Sequence, residues 1–162
     1  MSLPTEISQL AATLGTSLTN KKLSITTAES CTGGGISYAL TDTPGSSRYI
    51  DRCFITYSNS AKQELLGVEQ AVLELYGAVS EQTVIQMAKG AAVAANAEIA
   101  IAVSGVAGPD GGSDDKPVGT VWVAIKVMDS VFVKCCHFSG CRAEIRRQVI
   151  EYVLEKTNEL IK

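Results

Sequence analysis

Apolar positions recurring every three or four residues open the chain: Ile7, Leu10, Leu14 and Leu18 share one side of a helix that the spacing predicts from Thr5 to Asn20. A β-branched run over 23–28 changes the period and predicts a strand. It leads into Glu29-Ser30-Cys31-Thr32-Gly33-Gly34-Gly35, read as a tight glycine turn, and then into a helix over about 33–41 carrying Ile36 and Leu40. Turn chemistry at Thr43-Pro44-Gly45-Ser46-Ser47 separates that helix from a second strand predicted from Tyr49 to Tyr57. Ser60, followed three residues later by Gln63, has capping-box form and starts a helix that Gly67 stops. Glu69 to Leu75 predicts a short helix ended by Gly77, and Ser80 caps a longer one through Val84, Met87, Ala88, Ala91 and Ala92 to about Ala95. Ile99 to Val103 is continuously apolar, the pattern of a central strand covered on both faces. After a long glycine-rich loop, Gly119 to Met128 and Ser130 to Phe138 predict a hairpin about Asp129-Ser130. Ile145, Val149, Val153 and Ile161 then line one side of a closing helix.

This alternation predicts a single domain over 1–162: a three-layer α/β/α sandwich with a mainly parallel sheet of about five strands and an antiparallel edge. Ligands of such sheets bind outside the carboxyl ends of the parallel strands, where Ser30, the 57–62 segment and the 104–116 loop all fall. Ser30 or Cys31 stands exposed at the first strand end, and the glycines after it allow close backbone approach to a ligand. The following helix start adds partial positive charge there. The stretch reads either as a helix cap with a turn or as an acyl-transfer nucleophile with its oxyanion donors.

Lys62 falls in the first turn of its helix, where the macrodipole favours a neutral amine able to act as a base; the plain alternative is a solvated lysine. Arg142, Arg146 and Arg147 crowd the start of the last helix, an uphill arrangement unless an anion such as phosphate or carboxylate offsets it. A solvated basic face is the alternative.

Composition narrows the chemistry. The 162 residues carry a net charge of -3, with 46% hydrophobic and 19% charged positions, and suffice for a real core. Scattered Lys and Arg argue against nucleic-acid binding, and no apolar run approaches the roughly 20 residues needed to cross a bilayer. Without a signal-peptide layout, the expected location is the cytoplasm. Five cysteines lack C-x-x-C spacing and are expected as reduced, mostly buried thiols, while the single His137 sits in a strand-like run. Metal-assisted and histidine-dependent mechanisms are therefore not expected. The 104–117 loop is neither a Walker A loop, nor a dinucleotide fingerprint, nor a calcium loop.

TTAESCTGG at 26–34, PGSS at 44–47, TYSNSAK at 56–62, GAVSE at 77–81, SGVAGPDGG at 104–112, KPVGTVW at 116–122 and FSGCR at 138–142 together resemble the CinA C-terminal domain family, in its stand-alone nicotinamide mononucleotide deamidase form. The resemblance implies hydrolysis of a small nucleotide, nicotinamide mononucleotide, to nicotinate mononucleotide and ammonia, with no metal or organic cofactor. It implies Ser30 as nucleophile, Lys62 as base and Tyr57 as a third member relaying or steadying the proton. It further implies substrate contacts from the turn at Cys31, Thr32, Gly33 and Gly34, from Ser46, from Ser104, Gly105, Ala107 and Gly108, and from Arg142 and Arg146 toward the phosphate. A homodimer is the expected assembly. Three positions depart from the family pattern: Cys141 stands where aspartate is usual, Tyr76 for histidine and Cys53 for glycine. The different-class alternative is a non-catalytic nucleotide-binding or interaction module on the same fold.

Overall fold

The computed structural model describes residues 2–162. Helix α1 (Thr5–Lys21) leads into β1 (Ile25–Glu29), α2 (Gly35–Thr41) and a single 3-10 turn at Ser46–Arg48. Then come β2 (Phe54–Ile55), α3 (Asn59–Leu66), α4 (Gln70–Tyr76), α5 (Glu81–Ala95), β3 (Ile99–Gly105), β4 (Thr120–Val127), β5 (Ser130–His137) and α6 (Arg142–Leu160). The five strands form one sheet in the order β2-β1-β3-β4-β5. β1 pairs in parallel with β2 and β3, while β4 runs antiparallel to both β3 and β5, so four of the five strands point the same way.

Two cores flank this sheet because strand side chains alternate between faces. Ile25, Ile101, Val103, Val123 and Ile125 pack on one side with Leu14, Leu18, Ile36, Leu40, Ile145 and Val149 from α1, α2 and α6. Ala28, Ala100, Ala102 and Ala124 face the other side, against Val84, Met87, Ala88 and Ala91 of α5 and Leu66 of α3. Those strand alanines are small, so α5 can lie close to the sheet. Gly90 brings α3 equally close to α5, since a Cβ there would lie 1.8 Å from the Leu66 carbonyl oxygen. The predicted three-layer α/β sandwich is the observed one.

Several boundaries move. The second strand shrinks from 49–57 to Phe54–Ile55. Tyr49 turns inward to 3% exposure, its hydroxyl donating to the Leu40 carbonyl at 3.1 Å, and the 46–50 backbone closes turns on Ser46 instead of extending. Helix α3 starts two residues earlier than predicted, because Ser58 rather than Ser60 is its cap and accepts the Ala61 N–H at 3.1 Å. The hairpin bends at Met128, which has positive φ. Of the cysteines expected to be mostly buried, only Cys31 and Cys136 are; Cys53 and Cys135 are half-buried and Cys141 is exposed. Among the described residues no helix is long and apolar enough to cross a membrane.

Candidate active site

The site begins where β1 ends. Continuing the alternation of β1, Ser30 lies on the side of Ala28, toward α3 and α5, while Cys31 packs into the opposite core. The Ser30 N–H donates to the Val103 carbonyl at 3.1 Å, and the Ser30 carbonyl accepts the Gly33 N–H at 3.0 Å, closing a turn in which Gly33 and Gly34 have φ of 57° and 97°. Burial pushes the Cys31 thiol up to about 11, the charge of Glu29 adding to the effect, so Cys31 is a neutral thiol in the core.

Glu29 is fully buried, yet it ends a strand that is otherwise made of Ile, Thr and Ala. Its carboxylate accepts hydrogen bonds from the Thr32 hydroxyl at 2.6 Å and from the N–H groups of Gly34, Ile36 and Ser37 at 3.1, 3.0 and 2.8 Å. The partial positive charge at the start of α2, expected from the sequence to serve a ligand, is thus taken up by Glu29. A carboxylate at a buried strand end was the signal in the sequence: such a charge is sustainable only when donors surround it.

The second strand end supplies the amine. The Ser58 cap starts α3, and Lys62 points inward from it with 1% exposure. Its Nζ donates to the Thr56 carbonyl at 2.8 Å and lies 3.2 Å from Ser30 Oγ, with the Tyr57 carbonyl more distant at 3.5 Å. Burial lowers its pKa below the ordinary lysine range. Among the described residues no carboxylate is within ion-pair distance of it. A buried amine without an anion, in contact with a serine hydroxyl, is equipped to take a proton from that hydroxyl.

Tyr57 is half exposed, and its hydroxyl receives a hydrogen bond from Arg142 at 3.0 Å instead of reaching Lys62. Arg142 also donates to the Gly108 carbonyl at 2.8 Å, joining the 57–62 segment to the glycine-rich loop. Ser30, Cys31, Tyr57, Arg142 and the loop from Gly105 to Gly108, with Asp110 and Gly111, line an open cleft of about 270 Å³. Ser104 is buried on β3 and follows Val103, whose register partner is Glu29, which places it beside Ser30.

The three arginines do not converge. Arg142 reaches the cleft, Arg146 donates to the Thr32 carbonyl at 2.9 Å from behind the turn, and Arg147 pairs with Glu151 on the surface. Ser46 lies in the 3-10 turn, its hydroxyl directed at the Thr41 carbonyl at 3.4 Å, and does not line the cleft. Cys141 replaces the expected aspartate without loss of the cap: its sulfur accepts the backbone N–H of Glu144, while its own N–H donates to the Glu144 carboxylate at 2.7 Å. His137 is exposed on β5. Among the described residues no group of three or more His, Cys, Asp or Glu is placed to hold a metal ion.

The family described as CinA C-terminal domain matches residues 7–161. A protein named nicotinamide-nucleotide amidohydrolase PncC, from Enterobacter agglomerans, is 51% identical over 148 residues, which is 91% of this chain and 90% of that protein. One of the same name from Escherichia coli strain K12 is 47% identical over 152 residues, 93% of this chain and 92% of that one. The crystal structure of the competence/damage inducible protein CihA from Agrobacterium tumefaciens superposes with a TM-score of 0.97 at 45% identity, covering all of both chains.

Proposed function

The chain belongs to the CinA C-terminal domain family, and from that membership we propose that it is a nicotinamide-nucleotide amidohydrolase, converting nicotinamide mononucleotide and water to nicotinate mononucleotide and ammonia. The observation that carries the chemistry is the 3.2 Å contact between Ser30 Oγ and a buried Lys62 amine.

Neutral Lys62 takes the Ser30 proton as Oγ attacks the carboxamide carbon. The N–H groups of Gly33 and Gly34 are engaged with Ser30 and Glu29, so the oxyanion falls to those of Cys31 and Thr32. Collapse of the tetrahedral intermediate expels ammonia, with the proton returned from Lys62. Water, deprotonated by the same amine, then cleaves the acyl-enzyme and regenerates Ser30. Tyr57 acts through its position: its carbonyl lies beside Lys62 and its hydroxyl holds Arg142 at the cleft mouth. Arg142 offers its guanidinium to the substrate phosphate, Arg146 fixes the turn from behind, and Gly105, Ala107 and Gly108 form the floor against which the pyridine ring lies, while Ser104 is buried on β3 just before them. Ser46 lies outside the cleft and is given no part in the reaction.

We place the protein in the cytoplasm and expect a homodimer, which would cover exposed apolar side chains such as Leu65 and Val93. The test of function is release of ammonia and nicotinate mononucleotide from nicotinamide mononucleotide by purified protein with a chelator present. Binding of nicotinamide mononucleotide without turnover would overturn the amidase in favour of a binding module.

A further inference from the structure

Each of α3, α5 and α6 is capped by its own N-cap residue, Ser58, Ser80 or Cys141. Helix α2 has Gly34 at that position, in the left-handed region and with no side chain to offer. Its cap comes from the strand before it. Oε2 of Glu29 accepts the Gly34 and Ile36 N–H groups and the Thr32 hydroxyl; Oε1 accepts the Ser37 N–H at 2.8 Å, the Ser37 hydroxyl at 2.5 Å and the Thr27 hydroxyl at 3.2 Å. All six partners donate, and among the described residues no cation pairs with the carboxylate. Between this anchor and the helix it caps lie only Ser30, Cys31, Thr32, Gly33 and the N-cap Gly34.

The consequence is geometric. One side chain fixes the separation between the end of β1 and the start of α2, and through the Thr32 hydroxyl it also fixes the middle of the turn. Arg146 holds the same residue from the other side by its carbonyl. The orientation of Ser30 Oγ toward Lys62 depends on that closure.

Building on the amidase reading above, we propose that Glu29 is a positioning residue for amide hydrolysis, its buried carboxylate tying the α2 N-terminus and the Thr32 hydroxyl together so that the turn presents Ser30 to Lys62 and two N–H groups to the oxyanion. Glu29 touches neither substrate nor the transferred proton. Its negative charge also helps keep the neighbouring Cys31 thiol neutral.

The test compares steady-state kinetics and melting temperatures of Glu29→Gln, Thr32→Val and Thr32→Ser with those of the wild-type protein on nicotinamide mononucleotide. Glu29→Gln keeps the size but turns an N–H group toward a ring of donors, and kcat is expected to fall about 100-fold with KM changed less than about threefold, as for a lost oxyanion geometry. Thr32→Val removes one hydrogen bond and leaves the helix cap; kcat is expected to fall about tenfold, and Thr32→Ser to recover most of that loss. A folded Glu29→Gln protein with wild-type kcat overturns the proposal. So does a Thr32→Val protein whose only defect is a lower melting temperature, and that variant decides the matter if Glu29→Gln does not fold. Absence of turnover in the wild-type protein would refute the amidase reading itself, whereas active wild type beside unaffected variants refutes only the role of Glu29.

Discussion

Lys62 heads the fully buried side chains by volume among the described residues, a place where a lysine is costly to keep charged. Its lowered pKa has two consequences with opposite benefits. For catalysis, the neutral amine is populated below the ordinary lysine range, so kcat/KM should rise with pH through the depressed value and reach its plateau below 10.5. For stability, the native state binds fewer protons than the unfolded state between that depressed value and 10.5. Stability should therefore rise with pH across that window, and the burial cost is fully present below it. Lys62→Met removes the cost together with the proposed base: turnover should vanish while the melting temperature at neutral pH rises by about 2–4 °C, the shift expected for roughly 1 kcal/mol in a domain of this size. Calorimetry at neutral and alkaline pH checks it, the gain shrinking as pH approaches 10.5. A lower melting temperature at neutral pH would show that the amine stabilises its site.

At the scale of elements, the Ser30–Lys62 contact rests on a helix cap and a close approach between helices. The Ser58 cap sets where α3 begins and hence that Lys62 faces inward; Ser58→Ala should cost about 1 kcal/mol of stability. Gly90 sets the distance of α3 from α5, and Gly90→Ala would push a methyl group into the Leu66 carbonyl. Overpacking of that kind costs about 1–3 kcal/mol, and here it also displaces the helix carrying Lys62, so kcat should fall along with the melting temperature. Wild-type kcat in a destabilised Gly90→Ala protein would show that α3 yields without moving its lysine. These elements also show which parts of the fold were legible. Regular periodicity located α1, α5, β3 and the β4–β5 hairpin, because their apolar positions answer directly to burial on one or both faces. β2 is shorter than its sequence pattern because Tyr49, strand-like in sequence, is placed by a hydroxyl that donates to the Leu40 carbonyl in the core. The cap of α3 lies two residues before the one its sequence suggests because Ser58 and Ser60 are chemically equivalent, and only tertiary packing chooses between them.

Over the whole molecule, the parallel strands β1, β2 and β3 bring their carboxyl ends to one edge of the sheet, and that topology makes Ser30, Lys62 and the start of the 104–116 loop converge. Their convergence was readable from order alone. Which groups touch was not: Tyr57 turns its hydroxyl to Arg142, Arg146 and Arg147 point away from the cleft, and Glu29 takes the helix start that the sequence leaves open to a ligand. Each of these depends on donors and acceptors brought together from distant segments, and hydrophobic period carries no record of them. The same strand end separates Ser30 from Cys31, adjacent in sequence: Ser30 faces Lys62, while Cys31 packs into the core formed with α1, α2 and α6.

That separation gives the most direct test of the Ser30–Lys62 account: turnover of nicotinamide mononucleotide by the wild-type, Ser30→Ala and Cys31→Ala proteins, measured side by side with chelator present. The account predicts that Ser30→Ala loses at least about a thousandfold in kcat while Cys31→Ala stays within about threefold of wild type. Activity that survives in Ser30→Ala and disappears in Cys31→Ala would contradict it.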